Sequence, residues 1–263
     1  AGMYGEVDAA NYTVGVKETI ALPRDLIDER FAVRGDHGVD IEILGCTGDV
    51  PGGGFVYTNA ESLAVGLVLH LPALAAGGRR PEELLAGMKA HPAIAPLVEG
   101  GEVKEYSAHV IPEAGYDMMP ELIGDGILVA GDAAAMCLAA GIWLEGVNFA
   151  IGSGAAAGRA AARAIRRRDT SAEGLAGYRT RLESSFVLAD HRKLRDAPKL
   201  VMSDFAQRQV PGLLCGAAEQ MFQVTDPDPK PGLLRILRDE MKRNGVKARD
   251  AARMGLRALR TFG

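Results

Sequence analysis

The chain has 263 residues, 48% of them hydrophobic and 24% charged, with a net charge of −4. That balance suits a folded protein with a real core, as one large domain or two modest ones, and excludes a disordered chain. No basic excess points to a nucleic-acid partner, and none is expected.

Three cysteines, Cys46, Cys137 and Cys215, are scattered with no C-x-x-C pair. A disulfide framework or an iron–sulfur cluster needs them clustered, so free buried thiols in a reducing, cytoplasmic setting are expected. No apolar run approaches the ~20 residues of a membrane span. The opening "AGMYGEVDAANYTVG" has neither a basic start nor an apolar run of the signal-peptide kind, and position 1 is not methionine. The expectation is that the chain is cut from a longer one.

The alternation in "YTVGVKETIA" predicts a strand over 12–21. Pro23 opens a short helix, "PRDLIDERF", and "GVDIEILG" returns as a strand. "VPGGGFVYTNAESLAVGLVLHL" predicts a hairpin turning at 59–61, where Asn and Ala separate two β-rich runs. "RRPEELLAGMKAHPAIAPLV" is a helix interrupted by Pro92, and "GEVKEYSAHVIP" is a further strand. Together these predict an α+β unit, a mainly antiparallel sheet with helices on one side. After a turn-rich crossing, "ILVAGD" reads as a short, fully buried strand. A long helix follows from about Gly146 to Arg167, with arginines complementing its dipole at the C-terminal end. Thr170 and Glu173 form a T-x-x-E capping box for a helix carrying on through "LAGYRTRLESSFVLAD". The remainder is helical, broken by a "TDPDPKPG" loop. The expected division is a remnant or linker over 1–12, a substrate domain over 13–117, half of a cofactor domain over 118–168 and a helical region over 169–263.

Gly131-Asp132 stands where the apolar strand ends, the place where ligands dock on α/β sheets. A short carboxylate there can accept hydrogen bonds from sugar-like hydroxyls, and Ala133 and Ala134 keep the approach clear. The bland alternative makes Asp132 an N-cap only. Fourteen residues after Gly131, "EGVN" (145–148) begins a helix of small residues. Its terminus offers unpaired N–H groups and partial positive charge, and Gly146 lets a planar ring approach the backbone. Aimed at the pyrimidine edge of a flavin, that terminus would stabilise the reduced form. The alternative reading is tight helix packing through Gly152, Gly154 and Gly158.

"GDAAAMCLAAGIWLEGVNFAIGSGAAA" resembles the second FAD motif of the FixC and electron-transfer-flavoprotein:quinone oxidoreductase family, within the superfamily that includes geranylgeranyl reductases. "PGGGFVYTNAESLAVGLVL", "HPAIAPLVEGGEVKEYSAHVIPEAGYDMMP" and "SSFVLADHRKLRDAPKL" resemble it too, so the likeness covers nearly the whole chain from Tyr12. The resemblance implies an FAD-dependent oxidoreductase, passing electrons from an electron-transfer flavoprotein to quinone or to a small ferredoxin-like protein. Carried over, Asp132 would bind the ribityl chain, with Ala133 beside it. Gly131 would sit near the pyrophosphate, and Gly146, Val147 and Asn148 along the ring. The sheet around Phe55, Tyr57 and Val65 would face the ring from the substrate domain.

Two departures stand out. Where many family members carry a basic residue before the helix glycine, this chain has Leu144-Glu145, and that carboxylate should lower the reduction potential. The family's G-x-G-x-x-G turn is absent, and "GSGAAAG" at Gly152 has the wrong spacing. The resemblance therefore implies the C-terminal part of a flavoprotein, binding FAD poorly and inactive alone. A geranylgeranyl-reductase-like enzyme, or a flavin-free interaction module, is the alternative.

"PGGGF" lacks the ending of a phosphate-binding P-loop and reads as a tight turn feeding a strand. His37, His70, His91, His109 and His191 show no ligand spacing. His109 is the one expected nearest the flavin pocket. The terminal helix sets Lys247, Arg249, Arg253, Arg257 and Arg260 beside Met254, Leu259 and Phe262. Such a helix can lie on the inner face of an acidic membrane, although a solvated face over a packed stripe is the commoner case.

Overall fold

In the computed structural model, which describes residues 2–6, 8–113, 115–140, 144–224 and 229–263, two cores are built in succession along the chain. The first belongs to a five-stranded antiparallel sheet. Its strands are β1 (Tyr12–Ala21), β2 (Asp40–Leu44), β3 (Gly52–Thr58), β4 (Ser62–His70) and β5 (Glu102–Pro112), ordered β2-β3-β4-β1-β5. The hairpin of β3 and β4 turns where the sequence predicts it, pairing Val56 with Val65 and Gly52 with Leu69. Period-two alternation sends Val56, Val65 and Leu67 to one face, under α1 (Arg24–Phe31) and α3 (Pro81–Lys89) with Ile27, Leu85 and Met88. Lys89 at the end of α3 pairs with Glu18 of β1 across this layer. Pro92 ends α3 as expected, leaving α2 (Leu71–Gly77) before it and a single turn, α4 (Ala95–Val98), after it.

Phe55 and Tyr57 project from the opposite face, their rings stacked at 5.5 Å. Val65 was expected beside them, but its pairing with Val56 fixes it in the core face instead. Gly66 lies beneath Phe55: an added Cβ would stand 2.3 Å from the ring and 2.4 Å from the Val16 carbonyl oxygen. The glycines of "PGGGF" are not a turn. They are the first residues of β3, all three paired with β4, and Gly53 and Gly54 with β2 as well.

"ILVAGD" does not form a buried strand. Only Ile127–Leu128 (β7) is extended and paired, against Ile123–Gly124 (β6), and Ile127 is exposed. A buried parallel strand needs neighbours on both edges. Among the described residues the run meets a single hairpin partner before Gly131–Ala134 coils into a 3-10 turn.

The second core forms on α5 (Val147–Arg167). Phe149, Ser153, Ala156, Ala160 and Ala164 recur at helical spacing and are its buried face. They meet Tyr178 and Leu182 of α7 (Gly177–Glu183) and Val187 and Leu188 of α8 (Phe186–Lys193). Of the three glycines expected to pack, only Gly152 does so, against Phe186 and Val187, while Gly154 and Gly158 face open space. The opposite stripe carries exposed Val147, Ile151 and Ile165. The capping expectation was one residue out of register. Ser171, not Thr170, caps α6 (Ala172–Leu175) by accepting from Gly174 N at 3.1 Å. The single helix expected to carry on through Asp190 is three: α6 ends at Leu175, α7 follows from Gly177, and Ser185 then caps α8.

The helical tail comprises α9 (Ala197–Val201), a π-turn at Phe205–Gln209, α10 (Val210–Phe222), α11 (Leu233–Arg243) and α12 (Ala248–Phe262). Part of the "TDPDPKPG" loop, 225–228, lies outside the described residues. The tail reaches back to the sheet, where Gln207 Oε1 accepts from Gly52 N at 2.9 Å. All three cysteines are free; Cys137 is buried, but Cys215 on α10 is exposed, contrary to expectation. The whole is thus the expected mixed α and β architecture, with a mainly antiparallel sheet and a helical tail.

Candidate functional site

The Gly131 turn and the start of α5 meet across one cleft of about 540 Å³. Gly131, Asp132, Gly146 and Val147 line it, with Ile111 of β5 and Cys137. Four of the six residues predicted from sequence are thereby brought together. Ala133 and Asn148 are not part of the lining. The Ala133 carbonyl accepts from Tyr4 Oη at 2.9 Å, and Asn148 Nδ2 donates to Glu145 Oε2 at 2.8 Å.

Each lining residue has a local cause. Gly131 sits at φ +61, a left-handed conformation that glycine adopts without cost, and an added Cβ would lie 3.3 Å from that of Ala150. Asp132 follows on the exposed side of the turn; no side chain caps this turn, so the N-cap role does not describe Asp132. Gly146 is the N-cap of α5 and makes no side-chain capping bond. The helix therefore presents its first N–H groups and the positive end of its dipole to the cleft, beside exposed Val147. A Cβ on Gly146 would lie 3.5 Å from Cys137 Sγ and 3.7 Å from Asp132 Oδ1, so carboxylate and helix terminus face the same small volume.

Two residues that sequence reasoning passed over hold this arrangement. Ser153, wholly buried one turn along α5, accepts from Gly131 N at 3.0 Å and donates to Phe149 O at 2.7 Å. Its signal was only its place on the buried helix face. Tyr178 donates to Val129 O at 2.8 Å, fixing the segment that enters the turn. The Cys137 thiol is pushed well above its usual range by burial and by the charges of Glu113 and Asp132, so it is no nucleophile.

His109 is exposed on β5 and does not line the cleft; Ile111, two residues on, does. His191 is the buried histidine, its ring edge-on to Phe149 at 4.4 Å and its Nδ1 2.6 Å from Val187 O. Leu144 lines the cleft and also a second cavity of about 140 Å³ between the sheet and the tail. That inner cavity is walled by Gly52–Gly54, Phe55, Met202 and Gln207, and Glu42 and Glu113 also line it. Burial pushes Glu113 up to about 7; burial and the neighbouring Asp40 do the same for Glu42. The fit to a flavin rests on the cleft: a glycine-walled slot, an uncapped helix terminus and an acceptor carboxylate within it.

Comparison with known proteins agrees in direction. No family model matches the chain. Protein FixC of Escherichia coli O157:H7 is 40% identical over 247 residues, 94% of this chain and 56% of that protein. A probable electron transfer flavoprotein-quinone oxidoreductase, YdiS of Escherichia coli K12, is 36% identical over 92% of this chain and 59% of its own length. The chain thus spans little more than half the length of these curated relatives. Among solved structures, a geranylgeranyl bacteriochlorophyll reductase-like protein from Thermoplasma acidophilum superposes with a TM-score of 0.56, covering 91% of this chain and 54% of that one. At 15% identity it shows a shared fold and nothing finer.

Proposed function

We propose that the chain, 40% identical to a FixC protein along 94% of its length, forms one wall of the flavin site of an FAD-dependent oxidoreductase of electron transfer. The observation that carries this reading is the shared cleft, where Asp132 and the uncapped start of α5 face each other across Gly146. A bound flavin supplies a centre that takes up and releases electrons. The protein's part is to hold it. Gly131 leaves room for the pyrophosphate, Asp132 accepts from the ribityl hydroxyls, and Gly146 and Val147 lie along the ring. Ala133 and Asn148 support the two ends of that wall. The dipole of α5 favours negative charge at the edge it faces.

Electrons enter from an electron-transfer flavoprotein, as the name of the YdiS relative suggests. They leave to a quinone or a small ferredoxin-like protein. The inner cavity favours the quinone, since its volume of about 140 Å³ is of the size that takes up one aromatic ring.

Among the described residues no helix is long and apolar enough to cross a membrane. α11 and α12 nevertheless expose Leu234, Leu256 and Leu259 among arginines, and we place the inner face of an anionic membrane against them.

The test is an absorbance spectrum of the protein from its full reading frame, recorded after FAD loading and desalting. Flavin bands should persist, and should weaken in Asp132→Ala and Gly146→Val with the fold intact by circular dichroism. Loss of flavin from the unsubstituted protein, or full retention in both variants, would overturn the assignment.

A further inference from the structure

Glu113 stands at a junction. Together with Thr13 and Met202 it lines both the inner cavity and an outer cavity of about 240 Å³, whose other walls include His70, Asp117 and Lys199. Of the three shared residues, only Glu113 carries a proton that can be exchanged near neutrality. The residue is partly exposed, yet its Oε2 is buried, with the Thr13 hydroxyl beside it but outside full hydrogen-bond geometry. A buried carboxylate oxygen so weakly satisfied is costly, and a proton on it lowers that cost.

We propose that Glu113 is the acid that protonates a quinone seated in the inner cavity, with the outer cavity as its supply line from solvent. This rests on the functional reading above and identifies the chemistry at its acceptor end. Reducing a quinone to the hydroquinone takes two electrons and two protons. The electrons come from the reduced cofactor, which is thereby reoxidised. Each quinone carbonyl oxygen gains one proton and becomes a hydroxyl. Glu113 gives a proton to one oxygen, recovers it through the outer cavity, and gives a second to the other.

The groups around Glu113 suit this task. Thr13 on β1 is uncharged. Glu42, at the far side of the inner cavity on exposed β2, and Cys137, with its thiol held neutral, put no cation beside it. In the outer cavity Asp117 is paired with Arg195 and Lys199, and His70 lies at the wall with its Nε2 3.2 Å from Ala10 O. The Glu113 carboxyl is raised to about 7 by its burial, so it both holds and releases a proton in the physiological range. An acceptor that takes electrons alone, such as an iron–sulfur protein, has no use for such a group.

The experiment compares the FAD-loaded protein from the full reading frame with Glu113→Gln and Glu113→Asp, using a short-chain quinone and, separately, ferricyanide, which takes electrons without protons. Glu113→Gln should slow quinone reduction about a hundredfold, leave ferricyanide reduction within about twofold, and abolish the limb of the pH profile near neutrality. Glu113→Asp should recover part of the rate. Independently of turnover, infrared spectra at neutral pH should show a protonated-carboxyl band that vanishes in Glu113→Gln. If the unsubstituted protein reduces ferricyanide but no quinone, the functional reading and this inference fall together. If it reduces quinone and Glu113→Gln does so at the same rate and pH profile, or if no infrared band is lost, the proton-delivery role alone is overturned.

Discussion

Replacing Ser153 by alanine isolates what holds the Gly131 turn to α5. The hydroxyl makes two kinds of bond with different worth. Its donation to Phe149 O, at 2.7 Å, goes to a carbonyl within the helix, so losing it costs little. Its acceptance from Gly131 N at 3.0 Å is another matter, because Gly131 is buried and among the described residues no other acceptor meets that N–H. Stranding a buried donor costs about 1–3 kcal/mol, whereas the small void left by one oxygen adds a fraction of that. Ser153→Ala should therefore lower unfolding free energy by about 2 kcal/mol with an unchanged denaturant slope. The loss should also be local. Hydrogen exchange at the Gly131 amide should speed up by about 5- to 160-fold, the same energy expressed as a rate, in excess of any change at Val56 in the other core. A stability loss under about 0.5 kcal/mol, or exchange that rises equally in both cores, would refute the reasoning.

Three other outcomes are expected. Gly66→Ala forces a Cβ onto the Val16 carbonyl oxygen and the Phe55 ring; overpacking of this kind should cost about 3 kcal/mol in a urea titration, and a neutral effect would show that β3 and β4 can part freely. Gly131→Ala, at φ +61, should cost about 1–2 kcal/mol through backbone strain, measured the same way, and should weaken flavin retention. Stability should respond to pH through opposing groups. Glu42 and Glu113, raised to about 7, bind more protons folded than unfolded between pH 4.5 and 7, so their contribution falls as pH rises through that window. His191, lowered by burial, binds fewer protons folded, so its contribution is lost as pH falls below its unfolded value of 6.5. Thermal melts of Glu113→Gln should accordingly show a shallower decline from pH 5 to 7 than the unsubstituted chain; an identical slope would remove Glu113 from the account.

The sheet was legible because its strands carry period-two patterning over long stretches, and a half-buried antiparallel strand declares itself in the chain. The α5 start was legible too: Gly146 stands just before small residues recur at helical spacing, and the helix begins at Val147. Continuous apolar runs are less informative. "ILVAGD" carries the composition of a buried strand, but a strand is completed by its neighbours, and those are not encoded in the run itself. The capping register failed for a related reason, since Thr170 and Ser171 are chemically alike and only backbone geometry chose between them. Ser153, Tyr178 and Glu113 escaped notice because each acts through contacts with residues distant in sequence: Gly131, Val129, and the elements around two cavities.

Leu144 lines both the cleft and the inner cavity. An aliphatic side chain shared by two hollows keeps each of them apolar at the place where they adjoin. Under the function proposed above, such a shared wall would let electrons pass between a flavin in the cleft and an acceptor in the cavity while offering water and protons no hydrogen-bonded path through it. Protons would then travel the separate route by Glu113, and a polar residue at 144 would wet the wall and blur that division.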